Sequence, residues 1–225
     1  MSSPKRTARN PPRLHRKRPG PAGGKRDLNR KETSERLLDA ALALFLAEGT
    51  EAITIDQIVE RAEIAKGSFY RYARDKADLV EQIMTPVGRE VSTALERCEQ
   101  SLHRAKPDTL IATYLQLAAE LSTVVGQYAP RVLLYLQEVR SPPGPARRSI
   151  HALAEELGSR AIRLTRTARD HGLIRDVDPR VSALTVLGAV DAILFEHLRR
   201  QRVSTTEAPA MIMELVAIVL RGIRA

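Results

Sequence analysis

Apolar residues recur at helical spacing along most of the chain, and no convincing strict alternation interrupts them. Leu37-Leu38-x-x-Ala41-Leu42-x-Leu44-Phe45 puts one apolar face on a first helix, and Gly49 stands where a C-terminal glycine ends it. Thr54-x-x-Gln57 has the form of a capping box and opens a short second helix whose apolar positions are Ile55, Ile58, Val59 and Ala62. A tight connection at 63–65 leads to a third short helix over about 66–73. Asp75 then caps a long helix towards Arg104, which Pro86 should kink or split. Asp108 starts a helix through Gln127, and Pro130 opens another that ends before Pro142-Pro143-Gly144-Pro145. A further helix runs to His171, with Gly172 as its stop. Asp178-Pro179, an N-cap followed by proline at the first helical position, begins a strongly apolar helix to about Gln201. Ser204-x-x-Glu207 begins the last one. The pattern predicts an all-α protein of about nine helices, without strands or internal repeats.

The N-terminus breaks this pattern. Residues 1–28 contain five prolines (Pro4, Pro11, Pro12, Pro19 and Pro21) as well as Gly20, Gly23 and Gly24, with almost no apolar residue among the charges. Such a segment buries too little surface to offset its ordering entropy and is expected to be disordered. Order is expected to begin near Asn29, where Asn29-x-x-Glu32 can form a capping box and Thr33 or Ser34 are alternative caps. The charge is just as uneven. Residues 1–31 hold 11 of the 36 basic and one of the 27 acidic residues, so the net +9 resolves into +10 on an arm and −1 on the other 194 residues. The chain thus divides into a disordered basic arm (1–30), a head of short helices (31–91) and a larger helical body (92–225).

Several classes fall away. A single cysteine, Cys98, excludes an intrachain disulfide framework and fits a reducing compartment; its acidic neighbours do not favour a thiolate. The most apolar runs, around 181–195 and 211–220, are broken by Asp191 and Glu214, so no membrane partner is expected. The basic N-terminus lacks an apolar segment before a cleavage site, and a cytoplasmic, nucleoid-associated location is expected. The five histidines show no metal-ligand spacing, and no phosphate loop, nucleophile elbow or Cys–His pattern is present. The sequence predicts no enzyme, metal or cofactor.

The chemistry lies in the head. Three short helices with a three-residue connection between the second and third suggest a helix-turn-helix unit, in which Ile58, Ala62, Ile64 and Phe69 brace the third helix. That helix then offers Lys66, Gly67 and Ser68 at its N-terminus: a cation, a position without a side chain, and a short hydroxyl. Tyr70, Arg71 and Tyr72 follow, all able to donate hydrogen bonds to phosphates or base edges. Lys76 stands at the first turn of the next helix, where free N–H groups also favour phosphate.

The run from Thr54 to Leu79, TIDQIVERAEIAKGSFYRYARDKADL, resembles the DNA-binding domain of the TetR/AcrR family of bacterial transcriptional regulators. Arg36-Leu37-Leu38-Asp39-Ala40-Ala41-x-x-x-Phe45-x-x-x-Gly49 resembles that family's first helix, and the match covers about residues 33–85. Gly172-Leu173-x-x-Asp176-Val177-Asp178-Pro179 and 187–192 resemble further family segments. The resemblance implies that Thr54 touches phosphate, that Lys66, Gly67, Ser68 and Arg71 face base edges, and that Tyr70, Tyr72 and Lys76 clamp the backbone. It also implies a dimer on a palindromic double-stranded DNA operator, usually a repressor, released when a small molecule in the body shifts the spacing of the two heads. Two departures stand out. Glu63 and Ala65 replace the usual turn glycine and serine cap, which bears on the turn and helix start. Ala73 replaces a large aromatic, which predicts a smaller contact unless a neighbour fills the space.

Helices at about 179–201 and 205–223 are apolar nearly all round, and with about 194 ordered residues they are expected to bury part of their surface in a homodimer. Tyr114, Tyr128 and Tyr135 fall on the middle helices and are the candidates for an effector pocket, with Gln137, Glu138 and His151 as lesser ones. The sequence therefore predicts a ligand-responsive, dimeric, sequence-specific regulator. The alternative is an effector-independent nucleoid-type or RNA-binding protein dominated by the basic arm.

Overall fold

The structure is a computed structural model that describes residues 25–200 and 213–219. Most of the basic arm and much of the last expected helix lie outside the described residues. Seven α-helices follow one another: α1 (Lys25–Glu48), α2 (Ile55–Arg61), α3 (Lys66–Phe69), α4 (Lys76–Leu102), α5 (Leu110–Glu138), α6 (Arg148–Asp170) and α7 (Pro179–Arg199). A 3-10 turn, Pro145–Arg147, precedes α6, and residues 213–219 are helical. No strand occurs among the described residues.

Local chemistry sets most of these boundaries. Asp75 accepts the Asp78 N–H at 2.8 Å, and Asp178 accepts those of Arg180 and Val181 at 2.9 and 2.8 Å, so both aspartates cap as expected. Gly172, at φ 65°, ends α6 in a Schellman arrangement: its N–H reaches the Arg169 carbonyl and that of Leu173 the Ala168 carbonyl. Other boundaries differ from expectation. α1 starts at Lys25, so Asn29 is an interior residue whose carbonyl accepts the Thr33 hydroxyl at 2.7 Å. Thr109, not Asp108, flanks α5, and its hydroxyl accepts the Lys106 N–H. Pro86 sits inside a continuous α4, where buried Val80, Ile83, Met84 and Val87 hold the helix against the core. The two expected helices on either side of Pro130 are both present within α5, divided at Tyr128 (φ −122°, ψ 27°) as the sequence predicts.

The core does not stop at the end of the head. Leu37, Phe45, Ile58, Phe69, Leu79 and Ile83 belong to one apolar cluster with Val125, Leu134, Ile150 and Leu194 of the body. A second cluster, with Leu102, Leu110, Leu164 and Leu173, closes the far end of the bundle. The head therefore sits on the body through shared apolar packing.

Candidate nucleic-acid interface

The supporting helix α2 is fixed at both ends. At its start, Thr54 Oγ1 accepts the Gln57 N–H at 3.3 Å, while Gln57 Oε1 accepts the Thr54 N–H and hydroxyl, each at 2.8 Å. Thr54 is thus the cap read from the sequence, and its hydroxyl proton is already engaged. At the other end, Glu63 lies at φ 53°, in the left-handed region. Its N–H donates to the Glu60 carbonyl at 3.1 Å, and the Ile64 N–H to that of Val59 at 3.0 Å. This is a Schellman turn built without glycine, so the tight connection between α2 and α3 survives the substitution at Glu63.

α3 is shorter than expected. Ala65 offers it no side-chain cap, and only Lys66–Phe69 are helical; Arg71 and Tyr72 continue through single-turn hydrogen bonds to Ser68 and Phe69. Phe69 is wholly buried and anchors the segment. Ala73 is buried too, so its neighbours close over the position where a larger ring was expected to be missed. The opposite face is open. A Cβ placed on Gly67 would meet nothing within 4 Å, so no contact among the described residues requires a glycine there. Lys66 pairs with Asp56 at 2.7 Å, drawing together the first turns of α2 and α3, and both side chains are exposed. Asp56 holds the Lys66 ammonium above its ordinary pKa. Arg71 donates to Ser68 Oγ at 2.7 Å, and Tyr70 is exposed with its ring edge-on to Phe69. Lys66, Gly67, Ser68, Tyr70 and Arg71 thus follow closely along one short segment, Ser68 partly covered and the other four exposed.

Tyr72 and Lys76 are placed differently. Tyr72 is half-buried against the core, and its carbonyl accepts Gln82 Nε2 at 2.9 Å. Lys76 turns inward: its Nζ donates to the Glu51 and Ile53 carbonyls at 2.8 and 2.9 Å, and burial lowers its pKa. Two of its three N–H groups are therefore committed to the loop ahead of α2. A groove beside α3 adds residues of α1 to this surface. Arg30, Lys31 and Ser34 of α1 line it with Arg71, Tyr72 and Gln82. Helical order reaching back to Lys25 creates this wall; the Arg30-Lys31 pair was its only signal in the sequence.

Residues 37–83 match the family model described as bacterial regulatory proteins of the tetR family, and residues 107–194 match one described as a tetracycline repressor-like C-terminal domain. The chain belongs to the TetR family. Among curated relatives, the TetR-family chain is 26% identical over 204 residues to the HTH-type transcriptional regulator YhgD of Bacillus subtilis, covering 84% of this chain and 95% of that one. It spans 40% and 39% of the lengths of the first two curated relatives it matches. Its fold is similar to that of FadR from Bacillus subtilis in complex with stearoyl-CoA (TM-score 0.60, 16% identity, 81% of this chain and 96% of that one). It is equally similar to AibR in complex with isovaleryl coenzyme A and operator DNA (TM-score 0.60, 20% identity, 81% and 97%).

In this TetR-family body the three candidate tyrosines do not share one cluster. Tyr114 packs in the far cluster beside Cys98, and burial raises its pKa. Tyr128 sits at the α5 break, accepting Gln127 Nε2 at 3.0 Å, with the Arg131 guanidinium 5.6 Å from its ring. Tyr135 packs in the main core, its hydroxyl pushed up to about 12 by burial and by the charge of Asp191. Cys98 is buried, and its thiol is likewise raised to about 12. Glu138 is buried where the body meets the head.

Proposed function

We propose that the protein is a dimeric, sequence-specific transcriptional regulator, a repressor released from a palindromic operator by a small-molecule effector. The observation that carries the reading is α3 itself. It is pinned by a buried Phe69 and shows outward a lysine, an arginine, a serine and a glycine that no contact among the described residues requires. A bare backbone at Gly67 permits close approach to a groove, and Lys66, Ser68 and Arg71 supply donors for base edges. Thr54, Tyr70, Tyr72 and Lys76 hold phosphates, Thr54 and Lys76 from the first turns of α2 and α4. Lys66 exchanges Asp56 for a base, which suits a contact made only on DNA.

The division of labour follows the chain: an accessory arm at 1–30 whose last residues, from Lys25, already belong to α1, a reading head at 31–91, and a body at 92–225 that binds effector and dimerises. Tyr114, Tyr128 and Tyr135 remain the proposed effector contacts. The complexes of FadR with stearoyl-CoA and of AibR with isovaleryl coenzyme A make acyl-CoA thioesters the first probes. The protein works in the cytoplasm by binding, not by catalysis.

Selection from random duplex DNA by the purified full-length protein tests the reading. One palindrome should be enriched, and Lys66→Ala and Arg71→Ala should each lose about 1–3 kcal/mol of discrimination for it. A protein that enriches no sequence and binds every duplex with the same steep salt dependence is instead the arm-dominated nucleoid type.

A further inference from the structure

The loop between α1 and α2 carries no DNA-facing residue before Thr54, yet it is held by several long-range polar contacts. The Thr50 N–H, fully buried, donates to Glu138 Oε1 at 2.7 Å across 88 residues of sequence. Glu138, at the C-terminal end of α5, is 3% exposed, and its other oxygen is paired with Arg147 of the 3-10 turn. Arg147 also donates to the Pro142 carbonyl at 3.2 Å, tying its guanidinium to the α5–α6 corner. One residue along the loop, Glu51 Oε1 accepts the Ala146 N–H at 3.0 Å. The Glu51 carbonyl accepts Lys76 Nζ from α4 at 2.8 Å. Two glycines make room for this junction. A Cβ on Gly144 would lie 2.2 Å from Glu51 Oε1, and one on Gly49 would lie 3.3 Å from Glu138 Oε1.

A carboxylate buried this deeply is costly unless it is fully paired, and here each oxygen has a charged or backbone partner. Removing the Glu138 side chain strands both an arginine and a buried N–H. Hydrophobic packing alone would join head to body without fixing their angle. Charged hydrogen bonds to the loop backbone fix direction as well as distance. The loop leads straight into the Thr54 cap, so whatever holds Thr50 and Glu51 holds the start of α2, which braces α3.

We infer that Glu138 and Arg147 form a positioning clasp by which the α5–α6 corner sets the orientation of the reading head. This rests on the DNA-binding reading above. In a dimer, the orientation of each head decides whether the second half-site is met at once or only after a search. The clasp therefore governs the advantage of a full palindrome over a single half-site, not the reading of one half-site by α3.

The test uses the full-length dimer with two variants that disturb different contacts. Glu138→Gln/Arg147→Met removes the charge pair without stranding either partner, a replacement of the kind buried pairs tolerate. Gly144→Ala pushes Glu51 off Ala146 and leaves the buried pair alone. Binding is measured on the selected palindrome and on a duplex carrying one half of it, and hydrogen exchange is followed at the Thr50 amide. Each variant should weaken binding to the palindrome about tenfold, leave half-site binding unchanged and speed exchange at Thr50. Equal losses on both duplexes, or an unchanged palindrome affinity, overturn the clasp. A parent protein without sequence preference overturns the regulatory reading instead. In that case Thr50 exchange still decides whether the clasp holds the loop, and unchanged exchange in both variants rejects it.

Discussion

At the level of single residues, the turn between α2 and α3 shows how a departure from family pattern is absorbed. A glycine reaches φ 53° without strain, whereas an L residue such as Glu63 pays about 1–2 kcal/mol for the left-handed region. The Schellman hydrogen bonds from Glu63 and Ile64 hold it there. Glu63→Gly should therefore stabilise the protein by about 1 kcal/mol, after some loss to the greater freedom of glycine in the unfolded chain. That corresponds to a rise of about 2–4 °C in the thermal midpoint for a chain of this size. A fall in midpoint by calorimetry would mean that the Glu63 side chain supplies something its exposed position does not show. The residues that α3 exposes were legible because spacing placed them on a short helix. Their partners were not. Asp56 lies ten positions from Lys66, and the carbonyls that take up Lys76 lie 25 and 23 positions away. No local pattern links residues so far apart, so the sequence shows Lys76 at the start of α4 but not the carbonyls it meets.

Among the elements, the caps were legible wherever a side chain closes on its own helix, as at Thr54, Asp75 and Asp178. They were misread where tertiary packing decides. Pro86 forfeits a hydrogen bond to the carbonyl of Gln82, yet Val80, Ile83, Met84 and Val87 bury that stretch of α4 and keep it helical. Around Pro130 the helix does give way, at Tyr128, as the sequence predicts. The start of α1 belongs to the same class as Pro86. The charged run from Lys25 onward has no apolar stripe to announce a helix, but it extends from a buried one through Leu37 and Ala41. That extension carries Arg30 and Lys31 into the groove beside Arg71 and Tyr72. If both cations meet phosphates, Arg30→Ala/Lys31→Ala should flatten the dependence of log affinity on log salt by about 1.8, at about 0.9 per contact. The preferred sequence should stay the same. A slope equal to the parent's, measured by anisotropy from low to physiological salt, would show that the groove stays clear of DNA.

For the molecule as a whole, α7 poses the largest unmet demand. It is apolar enough to cross a membrane by length and composition, with a mean hydropathy of 1.6, yet only Ala183, Leu194 and His197 are buried within one chain. Val181 and Leu184, one turn apart on the same side, are 65% and 53% exposed, and Ile218 of the terminal helical segment is 60% exposed. A membrane is a poor fit for the same helix, because it carries Asp191, Glu196 and Arg199. A second copy of α7 fits better: it covers the apolar side chains, each worth about 1.5–3 kcal/mol when fully buried, and leaves the polar positions to pair or reach water. Val181→Asp/Leu184→Asp should then convert the dimer to a folded monomer by sedimentation, since neither side chain contributes to the core of its own chain. Operator affinity should fall with it, because a monomer meets two half-sites only by independent encounters. A variant that remains dimeric would move the interface off this face of α7 and leave its exposed valine and leucine without a partner.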